Sequence, residues 1–367
     1  MGLRRPDIPV LTTLRFPAAF AIVLYHFSPY TALPRWIWDG FNTGVSFFYV
    51  LSGFILYYNY LDLRDRGYFW VARFARIWPV QMVTLIMVFL ALPFSRLLGH
   101  ASWPLTLPAN ILLVHAWLPF KGAVLSYNGV SWSLSVESFF YLSFPWLLAG
   151  LHRWGPRFLL AGAFGFGFII ILLATIYWPA NAPFVSTFNP VCRVFEFVLG
   201  MATCKFWLAG KEARETDRSS WLGRELLVVM ISLILVLTLP AAIMESRIAN
   251  PTTGWLASET CALGFAALIW VFAQEAGPIS KALSKRYLTW LGEISFSVYM
   301  CHQIILRRLL PDEYRFTDTT QALEYFVLVL LLTLIVAAAI FHLVETPARH
   351  AIVAAYKRRS KRPAREE

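Results

Sequence analysis

Long apolar stretches, interrupted by short polar and charged segments, recur along this chain from Val10 to Val344. An apolar run of about 18 or more residues is long enough for a helix to cross the hydrocarbon core of a bilayer. The pattern predicts ten such helices, with boundaries good to a few residues: 9–27, 44–61, 78–97, 131–150, 158–178, 191–209, 226–244, 254–275, 288–309 and 322–344. We therefore expect an all-α, polytopic integral membrane bundle of about ten transmembrane helices.

One shorter apolar segment, residues 105–119, contains Pro108 and Pro119 and is more typical of a re-entrant or interfacial piece. With ten spans and a cytoplasmic N-terminus, 23 of the 32 Lys and Arg residues lie on the cytoplasmic side. An eleventh span would move every later basic loop to the outside, against the positive-inside rule. The sequence thus predicts that 105–119 does not cross and that both termini are cytoplasmic.

The composition supports a membrane protein, because 58% of the residues are hydrophobic and only 14% are charged, whereas soluble domains carry about 25% charged residues. The net charge of +11 sits in short loops and in the basic C-terminal end, where it sets orientation instead of binding nucleic acid. Residues 1–345 are predicted to form one membrane domain, followed by a basic cytoplasmic tail over 346–367. No sequence pattern for a metal, a disulfide or a nucleotide-binding fold is present, so we expect no metal and no bound cofactor.

Ionisable residues within predicted spans are costly, so each is a functional candidate or a structural pair that faces the bundle interior. They are Arg15, His26, Glu137, Arg193, Glu196, Glu259, Glu293, His302, His342 and Glu345.

Arg15 and His26 lie eleven residues apart, which is about three full helical turns plus roughly 20°. They share one face of the first helix and are separated along its axis by about 16 Å. This stripe links the two sides of the membrane. The structural alternative is that Arg15 reaches the cytoplasmic headgroups and His26 is an interfacial histidine.

Two further pairs have i, i+3 spacing. Arg73 and Arg76 point the same way on a short helix, which suits a phosphate clamp of two guanidinium groups; the alternative is anchoring at the membrane edge. For Arg193 and Glu196, an ion pair within one helix is the favoured interpretation.

Taken together, the motifs resemble the membrane-bound acyltransferase 3 family, bacterial enzymes that O-acylate cell-envelope glycans and related acceptors. The matching stretches follow the family's order and cover the chain from end to end: Arg15 to His26, Gly44 to Phe54, Arg73 to Pro79, Trp132 to Tyr141, Arg193 to Gly200, Ile294 to His302 and Val344 to Pro347. Two positions depart from the family pattern, because Thr12 and Ser46 stand where the family often or usually has Asp.

The resemblance implies about ten spans, a location in the bacterial cytoplasmic membrane, and transfer of an acyl group, expected to be acetyl, from cytoplasmic acyl-CoA to a glycan hydroxyl on the outward side. Some relatives carry an added periplasmic hydrolase-like domain, which we expect to be lacking here because the chain ends 22 residues after Glu345. Acyl-CoA, a glycan or lipid-linked glycan, and the bilayer are the expected partners, and no nucleic acid is expected. The oligomeric state is open.

Such a transfer needs a base for the hydroxyl proton and a site for the donor. We expect His26 to be the general base, and Arg15, Arg73 and Arg76 to hold the donor phosphates. Glu137 is expected to position the acceptor or to partner His26. Six further residues are candidates for structural or acceptor-side roles: Ser52, Trp132, Arg193, Glu196, His302 and Glu345.

A transporter or flippase of a lipid-linked sugar or small polar compound is the alternative function, because it too would bury Arg, His and Glu in its spans. Such a protein is expected to show broken spans in corresponding positions of two repeated halves. The sequence contains no such repeat, which favours the acyltransferase.

Overall fold

The computed structural model describes residues 5–34, 36–93, 97, 102–210, 221–245, 250–311 and 313–360. Within these ranges the chain is helical and contains no β-strand. The helices, in chain order, are α1 Pro9–Thr13, α2 Arg15–Phe27, α3 Trp36–Asp39, α4 Gly44–Tyr60, α5 Arg66–Ala91, α6 Trp103–Ile111, α7 Lys121–Val124, α8 Trp132–Arg153, α9 Gly155–Tyr177, α10 Ala182–Phe188, α11 Val194–Ala209, α12 Trp221–Glu245, α13 Pro251–Phe272, α14 Pro278–Leu283, α15 Arg286–Leu309, α16 Thr319–Ile340 and α17 Thr346–Ser360.

Eight segments of the described chain are long and apolar enough to cross a membrane. They coincide with eight of the ten predicted spans. The other two predicted spans are also helical, but α11 has only 16 residues and the 24-residue α15 is much more polar. The all-α polytopic membrane bundle is therefore confirmed, while the count of ten stays a prediction.

Helices α2 and α4 run antiparallel. At one end, Gly44 lies against Ala18 and Ile22 of α2. At the other end, the Tyr58 hydroxyl donates a 3.0 Å hydrogen bond to the carbonyl oxygen of Pro6, just before α1. Two consecutive spans joined by one loop are expected to be antiparallel in this way.

Helices α4 and α8 run parallel, since Tyr49 lies beside Ser133 and Tyr60 lies beside Phe144. The intervening segment contains α6, whose nine residues extend only about 14 Å. That length is too short to cross a bilayer. These directions agree with the prediction that 105–119 does not span.

A very close helix contact joins α4 to α11 through two glycines. A Cβ atom on Gly200 would lie 1.9 Å from the carbonyl oxygen of Val50, and one on Gly53 would lie 2.0 Å from that of Phe197. Only residues without a side chain allow two backbones to approach this closely, as is common between helices in membranes. The contact holds the backbones of α4 and α11 against each other.

A proline in α8 leaves a backbone carbonyl group free to accept a hydrogen bond from α5. Pro145 lies inside α8 and has no N–H to give to the carbonyl group four residues earlier, which belongs to Tyr141. The indole N–H of Trp70 donates to that carbonyl oxygen at 3.2 Å. The side chain of α5 thus satisfies a backbone group that proline leaves without its helical partner.

The C-terminal part of the described chain is helical beyond the predicted membrane domain. A five-residue π-helical segment, Phe341–Glu345, connects α16 to α17, and such segments are rare in proteins. The Tyr356 hydroxyl of α17 donates to a carboxylate oxygen of Asp65, at the N-cap of α5, over 3.3 Å. The first part of the predicted tail is therefore a helix packed on α5, and residues 361–367 lie outside the described ranges.

Candidate acyl-donor cavity and histidine pair

A cavity of about 250 Å³ lies between α2, α4, α5, α8 and α15. Its lining follows α4 from Val45 to Asn59, a rise of about 21 Å. The cavity therefore extends along most of the length of a spanning helix. Five predicted site residues line it: Arg15, Ser52, Arg73, Arg76 and Glu137.

The three predicted donor-binding arginines are brought together at this cavity. Arg15 is the first residue of α2, and Arg73 and Arg76 lie in α5. The prediction placed the third span at residue 78, with Arg73 and Arg76 on a separate short helix. The structure corrects this boundary, since α5 begins at Arg66 and both arginines belong to the spanning helix itself.

The arginines differ in their partners. The Arg73 guanidinium donates to the Tyr60 hydroxyl at 3.3 Å and lies 5.9 Å above the ring centroid of Tyr141. Within the described part of the chain, Arg15 and Arg76 have neither a hydrogen bond nor an ion pair. They interact electrostatically with each other, and also with Glu137 and Glu345. Two guanidinium groups thus face the cavity with N–H donors that no described group of the protein uses. Such donors suit an anionic ligand.

Glu137 is held on the cavity wall by two hydroxyl groups. Ser52 donates to its Oε1 atom at 3.4 Å, and Tyr141 donates to the same oxygen. The expectation that Glu137 partners His26 is not met in this structure, because His26 makes its hydrogen bonds with α15 and with its own helix. A partnered carboxylate beside three arginines lowers the net positive charge of the cavity.

His26 pairs with a histidine that is 276 residues away in the chain. Its Nδ1 atom lies 3.1 Å from Nε2 of His302 and 3.0 Å from the carbonyl oxygen of Ile22. The His302 ring is fully buried, and its Nδ1 lies 2.6 Å from the carbonyl oxygen of Tyr299. His26 is only half-buried, so the exposed part of the pair belongs to His26.

The parallel packing of α2 and α15 produces this pair. A Cβ on Gly292 would lie 1.9 Å from the carbonyl oxygen of Thr12 in α1, just before α2 begins, so the two backbones are in contact there. Ten residues further along α15, His302 reaches His26. His26 itself does not line the cavity, but Tyr299, one turn before His302, does.

The remaining predicted candidates lie in structural contacts. Trp132 is buried, with its ring centroid 4.7 Å from that of Phe188. Glu345 accepts a 3.0 Å hydrogen bond from the Ser297 hydroxyl.

Arg193 and Glu196 form the predicted ion pair, at 2.9 Å and fully buried. Arg193 also donates to the Ser46 hydroxyl at 2.9 Å. Ser46, at a position where the family resemblance predicts Asp, thus contacts an arginine that Glu196 already neutralises.

His115 forms a separate buried polar cluster. Its Nε2 atom lies 3.3 Å from the Ser131 hydroxyl, and burial lowers the pKa of His115 to about 4. Neither residue lines the cavity, and both are fully buried. This histidine and serine resemble a nucleophile with its base, yet no substrate could reach them in this arrangement.

Comparison with known proteins decides the family. A family model described as an acyltransferase domain matches residues 8–342. The chain belongs to the acyltransferase 3 family. This membership favours the acyltransferase prediction over the transporter alternative, and the eight apolar segments make this acyltransferase a multi-pass membrane protein.

Individual relatives agree with the family. The acyltransferase is 29% identical to acyltransferase MdmB of Streptomyces mycarofaciens, over 93% of this chain and 91% of that protein. It is 26% identical to the peptidoglycan O-acetyltransferase OatA of Listeria monocytogenes, over 94% of this chain but 56% of that protein. A putative peptidoglycan O-acetyltransferase of Bacillus subtilis, YrhL, is similar at 26% identity, with 55% of its length covered. The chain thus spans about half the length of the latter two relatives. No solved structure matches.

Proposed function

We propose that this protein is an O-acyltransferase of the bacterial cytoplasmic membrane that moves an acetyl group from cytoplasmic acetyl-CoA to a hydroxyl of a cell-envelope or exported glycan. The observation that carries the proposal is the convergence of Arg15, Arg73 and Arg76 on one cavity. Two of the relatives are named as O-acetyltransferases or putative ones, which favours acetyl among acyl groups.

The donor is assigned to the arginine end of the cavity. Coenzyme A carries phosphate groups, and guanidinium forks bind phosphate oxygens with charge-assisted hydrogen bonds. Arg15 and Arg76 offer unused donors there, while Arg73 is oriented by Tyr60. The pantetheine arm, which is narrow and mostly uncharged, would follow α4 toward Tyr299, where the cavity approaches the histidine pair.

The reaction proposed is direct transfer. Nε2 of His26 takes the proton of the acceptor hydroxyl, and the oxygen attacks the thioester carbonyl carbon. The carbon–sulfur bond breaks, and the thiolate takes the proton from His26 and leaves as coenzyme A. The products are the acetyl ester and the free thiol. In this proposal Glu137 orients the acceptor or the donor through the cavity wall.

The experiment uses the full-length protein in detergent or nanodiscs with labelled acetyl-CoA. Wild-type protein should release coenzyme A slowly into water and transfer label to suitable glycans. His26→Gln should lower the rate of coenzyme A release about 10²–10⁴-fold, because base catalysis acts in the transition state. Binding of acetyl-CoA should be nearly unchanged, since His26 does not line the cavity.

His350→Gln is the matched control, because His350 is exposed on α17, outside the cavity lining. It should retain wild-type activity. Near-normal acyl transfer by a well-folded His26→Gln protein would contradict the base mechanism. Acetyl label trapped on a serine such as Ser135 would replace direct transfer with a covalent intermediate.

A further inference from the structure

The contact between His26 and His302 has only one neutral arrangement of protons that satisfies all its partners. Nδ1 of His302 faces the carbonyl oxygens of Tyr299 and Val298, at 2.6 and 3.3 Å. Carbonyl oxygens only accept, so Nδ1 of His302 carries the hydrogen. In a neutral imidazole the other nitrogen then has a free lone pair, and Nε2 of His302 is an acceptor.

The same reasoning determines the proton of His26. Its Nδ1 atom faces two acceptors, the lone pair on Nε2 of His302 and the carbonyl oxygen of Ile22. Nδ1 of His26 must therefore donate, and the hydrogen is shared between the two. Its Nε2 atom has the lone pair, and no group in the described part of the chain forms a hydrogen bond with it. The basic nitrogen of His26 is thus the one left available.

We infer that His302 is a positioning residue that holds His26 in the tautomer needed for proton abstraction and that stabilises the imidazolium formed when Nε2 takes a proton. This inference rests on the proposed function of His26 as general base. His302 is fully buried, so it does not touch substrate and acts only through His26. The backbone of α15, by way of Tyr299 and Val298, supplies the acceptors that orient His302.

The pair also connects the base to the cavity. Tyr299, whose carbonyl oxygen orients His302, has its side chain in the cavity lining. Its hydroxyl donates to the carbonyl oxygen of Val130 at 2.9 Å, which ties α15 to the segment before α8. One turn of α15 therefore holds both the end of the donor cavity and the residue that sets the proton of His26.

Three substitutions at position 302 separate positioning from packing. Gln places its Oε1 near the position of histidine Nε2 and keeps the acceptor for His26. Asn reaches only the position of Nδ1, and Leu removes all polar atoms at a similar volume. We expect kcat for coenzyme A release to fall about 10–100-fold for His302→Leu and His302→Asn. His302→Gln should stay within about threefold of wild type, and KM for acetyl-CoA should change little in all three.

A double substitution tests whether His302 acts through His26. Adding His302→Leu to His26→Gln should cause no further loss, because residues that act as one unit are strongly non-additive. Met300→Leu, a buried neutral change on the same helix, is the packing control and should leave kcat unchanged.

The outcomes distinguish this inference from the proposed function. If His26→Gln is inactive while His302→Leu or His302→Asn turns over normally, the positioning role is wrong and the base mechanism stands. Equal losses for His302→Gln and His302→Leu would also overturn the positioning role, since packing alone would explain them. If His26→Gln itself turns over normally, the proposed base mechanism fails.

Discussion

At the scale of single residues, the arginines of the cavity differ in what holds them. Arg73 is restrained by Tyr60 and lies over the Tyr141 ring. Arg76, one turn further along α5, has no hydrogen bond or ion pair within the described ranges. A cation that forms few bonds with its own protein can give more of them to a ligand. Arg76 is therefore the better candidate for a direct phosphate contact.

Arg76→Ala should weaken acetyl-CoA binding more than it lowers turnover at saturation. Loss of a charge-assisted hydrogen bond costs about 1.5–3 kcal/mol, or about 10–150-fold in the dissociation constant. Isothermal titration of the solubilised protein with acetyl-CoA measures this change. Arg66→Ala is the matched control, because Arg66 begins the same helix but is exposed and outside the cavity. If the Arg76→Ala and Arg66→Ala proteins bound acetyl-CoA with equal affinity, Arg76 would be a membrane-anchoring residue and not a donor-binding one.

Part of the site could be predicted from residue spacing and part could not. Periodicity places Arg15 with His26, and Arg73 with Arg76, because each pair lies on one helix. Spacing cannot show that His302 meets His26, since that contact depends on how α2 and α15 pack. The same limit applies to Glu137, whose partners are Ser52 of another helix and Tyr141, one turn away.

At the scale of helices, tertiary contacts decide features that hydropathy leaves open. The predicted third span began at residue 78, because the charges at Arg73 and Arg76 lower the local hydropathy, yet α5 begins at Arg66. Both arginines are accommodated within the helix because they face a cavity. Helix α11 shows the opposite case: at 16 residues it is short for a span, but it packs tightly against α4.

Gly200→Ala should destabilise the protein through the α4–α11 contact. The added methyl group would meet the carbonyl oxygen of Val50 at 1.9 Å, so the helices would have to separate, at a cost of about 1–3 kcal/mol or more. We expect a lower melting temperature of the solubilised protein and less of it in the membrane. Gly165→Ala in α9 is the control, since a Cβ there has no neighbour within 4 Å. That variant should match or slightly exceed wild-type stability, because alanine favours the helix. A Gly200→Ala protein as stable as Gly165→Ala would mean that α4 and α11 are less tightly packed.

At the scale of the whole molecule, helix directions and basic residues give one consistent topology. Helix α4 is antiparallel to α2, and α8 is parallel to α4, so an odd number of crossings lies between α4 and α8. Crossing by α5 alone, with a return through α8, satisfies this count without a span at 105–119. With the cytoplasmic N-terminus that the basic residues predict, this topology would put the arginine end of the cavity toward the cytoplasm and His26 toward the outside.

Reporter fusions that are active on only one side of the membrane test this topology directly. A fusion after residue 120 should report the outside, and fusions after residues 62 and 365 should report the cytoplasm, because the positive-inside rule keeps the basic loops and the C-terminal end within the cell. The fusion after residue 62 is the internal standard, since it lies in the short segment between α4 and α5. If residue 120 reported the cytoplasm, 105–119 would have to cross. The helices after it would then be inverted, and α8 could not run parallel to α4 as it does in this structure.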